Sequence, residues 1–370
     1  MAVRKRTLAD GRIRWQVDYR DGAGVRRHRQ FPTKREADAF HVRARSEVAA
    51  GIHTPDSASI TVAEATALWL ARCERDQLEP TTIVTYRQYA DLHILPYIGP
   101  VKLARLTVPA VTAFRDRLLD DGRSADMVKR VLKSLGTIVG EAQARGLVAT
   151  NNVRAIAKSK RERRAERIEM PSRAELQAII AAAPDRHRPL IMTAILAGLR
   201  GSELRGLIWD DVDLQRGEIR VRRRVDRFNK FGSPKSEAGS RTIPMSSVLL
   251  NTLRQWRLAC PKGELGLVFP NGVGRIESHA NLLHRVFWPI QIVAGVTVSD
   301  GEPDAKYSLH ALRHACAALW IEQGFGAKRI QVMMGHSSIT QTFDRYGYLF
   351  EAREADTAAM GEIAAKLINK

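Results

Sequence analysis

Two stretches of this chain resist burial in any core, and they divide it into three parts. Residues 51–59 (GIHTPDSAS) are polar and turn-forming, the composition of a linker. Residues 153–170 (VRAIAKSKRERRAERIEM) carry seven basic and three acidic residues and little apolar content. This second stretch reads either as an extended interdomain linker lying near phosphates or as a solvated tether. A chain of 370 residues also exceeds the roughly 100–200 residues of one domain. The expected division is a small module over 1–55, a helical domain over 60–152, a linker over 153–170 and a larger domain over 171–370.

Each part has its own periodicity. Near the start, Asp10-Gly11 is a hairpin dipeptide, and Ile13, Trp15, Val17 and Tyr19 alternate with polar residues as a half-buried strand does. A second turn, Asp21 to Gly24, leads to a third strand over Val25–Phe31. Thr33 with Glu36 forms a capping box for a helix to about Ala50. Three strands and a helix are expected, with Arg12, Arg14, Arg20, Arg26, Arg27 and Arg29 facing outward. Such a run is commonly a solvated face, but unmixed cations on strands favour a sheet that reads DNA. The second part opens with the capping box Thr61 and Glu64. Helices then start at Pro80, Thr107 and Ser124, the first of them expected to break between Pro96 and Gly99. Short links between helices suit a bundle. The third part opens with Ser172 and Glu175, another capping box. Helices over 173–182 and 188–198 precede strands over 218–225 and 239–245, and helices dominate from Ser246 onward. The tail 351–370 reads as a helix with Met360, Ile363 and Leu367 on one face. The fold class is therefore multidomain and mainly α with small β-sheets.

Charge narrows the function. Lys and Arg number 59 against 40 Asp and Glu, a formal +19. An excess of that size repels itself unless a polyanion binds, and it suits phosphate binding by counterion release. A membrane surface is disfavoured, because no basic amphipathic anchor with a Trp- or Phe-rich face is present. No stretch approaches the ~20 apolar residues of a membrane span. The basic start, MAVRKRTLADGR, has no apolar run behind it, so no signal peptide is expected. Cys73, Cys260 and Cys316 lie far apart without metal-ligand spacing, which fits buried thiols in a reducing cytoplasm.

Five segments of the third part carry chemistry when taken together. They are Leu199-Arg200-Gly201-Ser202-Glu203, Pro234-Lys235-Ser236 with Ser240-Arg241-Thr242, His310-Ala311-Leu312-Arg313-His314, Met334-Gly335-His336-Ser337, and Thr342-Phe343-Asp344-Arg345-Tyr346. Moving a phosphodiester between hydroxyls needs a nucleophile, cations on the non-bridging oxygens, a base and an acid. Arginine holds two phosphate oxygens with its planar fork and stays charged. Lysine can serve as acid, since neighbouring cations tune it. His310 and Arg313, three apart, share one face of a helix.

In that order and spacing the segments resemble the tyrosine recombinases, within them the phage and mobile-element integrases of the lambda type. The resemblance covers nearly the whole length: a three-stranded arm-binding module, a helical core-binding domain and a catalytic domain. It implies a catalytic set of Arg200 (in AGLRGSELRGLIWDDVDL), Lys235 (in SPKSEAGSRTIPM), His310, Arg313, His336 and Tyr346, with Glu203 in support. It further implies that Tyr346 attacks the scissile phosphate to form a 3′-phosphotyrosyl bond, that Arg200, Arg313 and His336 hold the phosphate, that His310 assists removal of the tyrosine proton and that Lys235 protonates the departing 5′ oxygen. Neither metal nor other cofactor is needed on that scheme. Arg241 joins Arg12, Arg14, Arg26, Arg27 and Arg29 as an expected DNA contact.

The implied partners are double-stranded DNA at arm and core attachment sites, further copies of the chain in a DNA-bound tetramer, and, as optional factors, a directionality factor and a host DNA-bending protein. The implied place is the bacterial cytoplasm, at the nucleoid. One departure is visible: relatives commonly have Tyr-x-His, whereas here Tyr348 follows Tyr346 and Gly347. The competing readings are a type IB topoisomerase-like relaxing enzyme and a non-catalytic DNA-binding regulator. A metal-dependent nuclease needs clustered carboxylates; Asp210, Asp211 and Asp213 are close in sequence but read as a turn and strand entry.

Overall fold

The computed structural model describes residues 2–21, 24–49, 59–157, 169–299 and 302–350. The chain divides into two compact units, residues 1–162 and 163–370. The tail helix expected over 351–370 and most of both linker stretches lie outside the described residues.

The first unit begins with an antiparallel sheet of β1 (Ala2–Thr7), β2 (Ile13–Arg20) and β3 (Arg26–Phe31), in that order. Helix α1 (Lys34–Ala49) follows, and Thr33 and Glu36 cap it reciprocally. Val17 and Tyr19 pack on Ala37, Phe40 and Ala44 of that helix. Across β2 and β3, Val17 stands opposite Arg29 and Tyr19 opposite Arg27. Directly opposed residues share a face, so Arg27 and Arg29 lie on the helix side. The Arg29 guanidinium covers the Phe40 ring at 5.1 Å, and Arg27 bonds Asp21 at 2.9 Å. The expectation of a single outward row of arginines is therefore corrected. The open face carries Arg14, Arg20 and Arg26, joined by Arg4 and Arg6 from β1. Arg12 lies in the turn, bonded to Asp10 at 2.7 Å.

Helices α2 (Val62–Arg75), α3 (Pro80–Tyr89), α4 (Val108–Asp120) and α5 (Ala125–Ala144) bury a separate core around Trp69, Ile94, Phe114, Leu135 and Ile138. The capping box at Thr61 and Glu64 is present. The break expected between Pro96 and Gly99 is present, since the helix ends at Ile98, but Pro96 itself lies inside it. The helix passes through a π-helical turn, Ala90–Ile94, and runs on to Ile98. Proline lacks a donor and crowds the carbonyl four residues back; widening the turn before it, with Leu95 donating to the Ala90 carbonyl, lets the chain continue.

The second unit starts with α6 (Arg173–Ala182, capped by Ser172 and Glu175), α7 (Arg188–Ala197) and the short α8 (Gly201–Arg205). Strands β4 (Val212–Asp213), β5 (Glu218–Val221) and β8 (Arg241–Pro244) form an antiparallel sheet in the order β4-β5-β8. A two-stranded hairpin, β6 (Arg224–Val225) with β7 (Phe231–Gly232), intervenes in sequence. The strand expected over 218–225 is thus split. At the break Arg222 and Arg223 turn to the buried carboxylate of Asp211, at 2.6 and 2.9 Å. Asp213 caps the β4–β5 turn through the amides of Gln215 and Arg216.

Then come α9 (Ser247–Ala259), α10 (Trp288–Val293), the hairpin β9 (Thr297–Ser299) and β10 (Glu302–Ala305), α11 (Leu309–Glu322), α12 (Ala327–Met334) and α13 (Ile339–Tyr346). Helix α7 is apolar on nearly every side. Ile191, Ala194 and Ile195 pack in one core with Leu253 and Trp256 of α9 and Leu312 and Ala315 of α11. No helix among the described residues is long and apolar enough to cross a membrane.

Candidate active site

The site is built around the end of α12. Gly335 terminates that helix in the left-handed region, at φ 63°. A helix end leaves carbonyls without intrahelical donors and gathers the negative end of the backbone dipoles. Here three consecutive carbonyls each accept an arginine. Arg241 Nε donates to Met333 at 2.7 Å, Arg313 Nη2 to Met334, and Arg200 Nη2 to Gly335 at 2.8 Å. Arg313 Nη1 also donates to the carbonyl of Gly198, the residue that ends α7, at 2.6 Å. A side chain at Gly335 would place its Cβ 2.8 Å from the Ala238 carbonyl oxygen and 3.1 Å from Arg241 Cδ. Glycine is required there by both backbone conformation and space.

One carboxylate balances the arginines. Glu203, 2% exposed, accepts from Arg200 Nη1 at 2.7 Å and from Arg241 Nη2 at 2.8 Å and Nη1 at 3.1 Å. Burial alone would raise its carboxyl. The bonds from Arg241 and the charges of Arg241, Arg200 and Arg313 outweigh that and hold it at about 2. The short helix α8 makes this possible: Arg200 is its N-cap, and Glu203 returns to bond the Arg200 amide at 2.8 Å.

Arg241 was expected to contact DNA, and the structure places it elsewhere. Its side chain is 1% exposed and is engaged by Glu203, Met333 and Gly239. A guanidinium bonded on all three of its nitrogens supports the site from within. Arg313 is also buried, yet its two bonds use only one hydrogen on each terminal nitrogen of the five-donor fork. Burial, then Arg200, pushes it down to about 9, still cationic at neutral pH. Arg200 is half-buried.

His336 follows Gly335 and is buried; its Nδ1 meets the Thr342 hydroxyl at 3.0 Å. With that hydroxyl donating, the ring's proton lies on Nε2. Burial first, then Arg313, Arg345, Arg200 and Arg241, lowers its imidazole to about 3. Burial and the cations Arg313, Arg345 and Arg200 likewise hold His310 at about 4.

Tyr346, 1% exposed, ends α13 and packs with Cys316, Ile330 and Met334. Its hydroxyl is held at 2.6 Å by His314 Nδ1, not by the expected His310. The His310 ring instead meets His314 edge-on, centroids 4.6 Å apart. Burial raises the Tyr346 phenol to about 12, with Arg313 and Arg345 acting in the opposite sense. Tyr348 lies in a 3-10 turn, Gly347–Leu349. Lys235 is exposed on the loop between β7 and β8. That loop reaches the site through Ala238 and Gly239, which touch Gly335 and Arg241.

The structure therefore brings together Arg200, Glu203, Arg313 and His336, and sets Tyr346 and His310 around His314. Sequence reasoning missed His314, the support role of Arg241, and Thr342 as partner of His336. His314 had a signal: it is four residues beyond His310, on the same face of a helix.

These titrations predict a pH dependence. Free imidazoles titrate near 6.5, whereas His310, His314 and His336 are held at about 3 to 4. Between those limits the unfolded chain binds more protons, so stability falls as pH drops from about 6.5 towards 4. Glu203 acts lower: its contribution is whole above its free value of 4.5 and is lost as pH falls towards about 2. Thermal melts from pH 7.5 to 4 should show a steady loss, and His336→Asn should flatten part of it. Equal slopes for both proteins contradict the assignment to His336.

Comparison with known proteins bears on the family and the fold. Residues 172–353 match the phage integrase family, and residues 61–119 match the phage integrase N-terminal SAM-like domain. A XerC-like tyrosine recombinase of Caldanaerobacter subterraneus is 25% identical over 91% of this chain and 91% of its own length. The ICEBs1 integrase of Bacillus subtilis is 25% identical over 97% of this chain and 98% of its own. Among solved structures, the Tn1549 transposon integrase bound to a circular intermediate DNA superposes with a TM-score of 0.69 at 18% identity, covering 83% of this chain and 100% of that one. A lambda integrase tetramer bound to a Holliday junction gives 0.60 at 20% identity, covering 91% and 96%. The arginine-clamped helix end and the buried tyrosine thus stand in a chain that belongs to the phage integrase family of tyrosine recombinases, enzymes of phages and mobile elements that transfer DNA strands.

Proposed function

We propose that Tyr346 attacks a scissile phosphate of duplex DNA, making a 3′-phosphotyrosyl bond and freeing a 5′ hydroxyl that a partner strand later replaces. The observation that carries this reading is the gathering of Arg200 and Arg313 on one helix end with a phenol hydroxyl bonded to imidazole beside them. Arg313 and Arg200 take the non-bridging oxygens. Their fixed positions mean that little reorganisation is needed as charge develops on phosphorus. His336, with Thr342 fixing its ring, donates Nε2–H to the same phosphate. Lys235, on its exposed loop, protonates the departing oxygen. Glu203 and Arg241 hold the clamp without touching DNA. The bond energy is kept in the phosphotyrosine, so strand joining needs no nucleotide hydrolysis.

The rest of the chain supplies binding. Residues 60–152 grip the core site, residues 171–370 do the chemistry, and the open face of the sheet in residues 1–55, with Arg4, Arg6, Arg14, Arg20 and Arg26, takes arm-type DNA. Strand exchange between two duplexes calls for four copies of the chain; lambda integrase forms a tetramer on a Holliday junction. A directionality factor and a host bending protein are the accessory partners such a reaction accommodates. The place of work is then the bacterial nucleoid.

The test is covalent capture. Nicked duplexes drawn from a randomised pool are incubated with the protein, and the adduct is digested and mapped by mass spectrometry. The DNA-linked peptide should contain Tyr346 as the modified residue. Adduct on Tyr348 removes Tyr346 from the nucleophile role, and no adduct at all removes the strand-transfer reading.

A further inference from the structure

We propose that His314 takes the proton of the Tyr346 hydroxyl as that oxygen attacks phosphorus. This rests on the reading of Tyr346 as nucleophile. The contact is direct: Nδ1 lies 2.6 Å from the phenol oxygen, within the range of a short O–H···N bond. His310, to which the family resemblance assigns this task, has no such contact; its ring abuts His314 instead, at 4.6 Å between centroids.

Three features suit His314 to the work. It follows Arg313 on α11, so the residue that clamps the phosphate fixes the helix register of the residue that holds the nucleophile. The groups around it are His310 and Arg313 on its own helix and Arg345 and Tyr346 on α13, with no carboxylate among them. Partial burial first, and then the cations Arg345 and Arg313, keep the imidazole neutral and able to accept. Finally, a phenol with a raised pKa does not ionise unaided near neutral pH, so a base in contact is required at the moment of attack.

The step balances. The Tyr346 O–H bond breaks and its proton passes to His314 Nδ1. The Tyr346 oxygen bonds to phosphorus, the bond from phosphorus to the 5′ oxygen breaks, and that oxygen takes a proton from Lys235. After cleavage His314 is imidazolium and Lys235 is a neutral amine. Rejoining returns both protons: the incoming 5′ hydroxyl gives its proton to Lys235, and the departing tyrosine regains its own from His314.

The test uses nicked duplexes selected by covalent capture on the wild-type protein, made with either oxygen or sulfur at the 5′ bridging position of the scissile phosphate. Sulfur departs without protonation, so it relieves the loss of an acid but not the loss of a base. His314→Ala removes contact and base together. His314→Asn keeps an amide that can bond the hydroxyl but takes up no proton at neutral pH. Both variants should form adduct about 100-fold or more slowly with oxygen, and sulfur should restore neither. Circular dichroism and DNA binding of His314→Asn should match wild type. A wild-type rate for His314→Asn overturns the proposal, because a merely positional role is then sufficient. Recovery of its rate by sulfur overturns it equally. An adduct mapped to a residue other than Tyr346 is a different failure, that of the nucleophile assignment.

Discussion

Tyr346→Phe is expected to capture no DNA covalently, a fall of at least about 1,000-fold, while Tyr348→Phe retains capture. The two tyrosines are two residues apart, yet their settings differ. Tyr346 closes α13, is buried against Cys316, Ile330 and Met334, and has its hydroxyl on His314. Tyr348 lies beyond it in the 3-10 turn Gly347–Leu349. Phenylalanine preserves the packing of the Tyr346 ring, so the main structural loss is one hydrogen bond, worth about 1 kcal/mol. The variant should therefore fold, bind duplex with wild-type affinity and fail only in chemistry. Adduct formation is read from labelled nicked duplex on a denaturing gel, and binding from a mobility shift under the same salt. Capture by Tyr346→Phe and its loss in Tyr348→Phe would reverse the assignment.

Glu203→Gln should be the most destabilising conservative substitution in the site. Among the described residues the carboxylate is the one anion bonded to Arg200 and Arg241, and it also offsets Arg313 electrostatically. Removing one partner of a buried ion cluster leaves cations uncompensated and costs about 3–5 kcal/mol. For a unit of this size that corresponds to a drop in melting temperature of about 6–20 °C. Activity should fall as well, because Arg200 loses the bond that orients it beside the Gly335 carbonyl. Arg241→Lys should follow the same direction, since a single ammonium cannot bond Glu203, Gly239 and Met333 together as the guanidinium does. A Glu203→Gln protein that melts within a degree or two of wild type would show that the arginines are held by the α12 carbonyls alone.

Where local chemistry decides, the residues could be read directly. The capping boxes at Thr61 with Glu64 and at Ser172 with Glu175 involve groups three residues apart, so the chain itself specifies them. The same holds for the alternation of Trp15, Val17 and Tyr19, and for Gly335 as a helix end. The helix break between Pro96 and Gly99 was legible in the same way and falls at Ile98, although Pro96 itself is carried inside the helix. A wider turn at Ala90–Ile94 removed the clash that would have ended the helix.

Strand register lies beyond such rules. Arg27 and Arg29 belong to a basic run that looks uniform in sequence, but pairing with Tyr19 and Val17 turns them to the helix side and leaves Arg4 and Arg6 on the open face. A period of two places residues on alternate faces; only the partner strand decides which face is covered.

The order of Arg200, Lys235, His310, Arg313, His336 and Tyr346 was determined by the sequence alone, and with it the kind of chemistry the chain can do. Which of these side chains meet, and through what, was decided by tertiary structure. Three arginines from positions 200, 241 and 313 converge on the carbonyls of residues 333–335 because a helix end has acceptors left over and a negative field to offer. Arg241 became a buried strut and His314 the partner of the tyrosine by the same packing. The role of Arg241 leaves no mark in the sequence and that of His314 only its spacing from His310, since a guanidinium or an imidazole has the same chemistry in water as in a core until its neighbours are fixed.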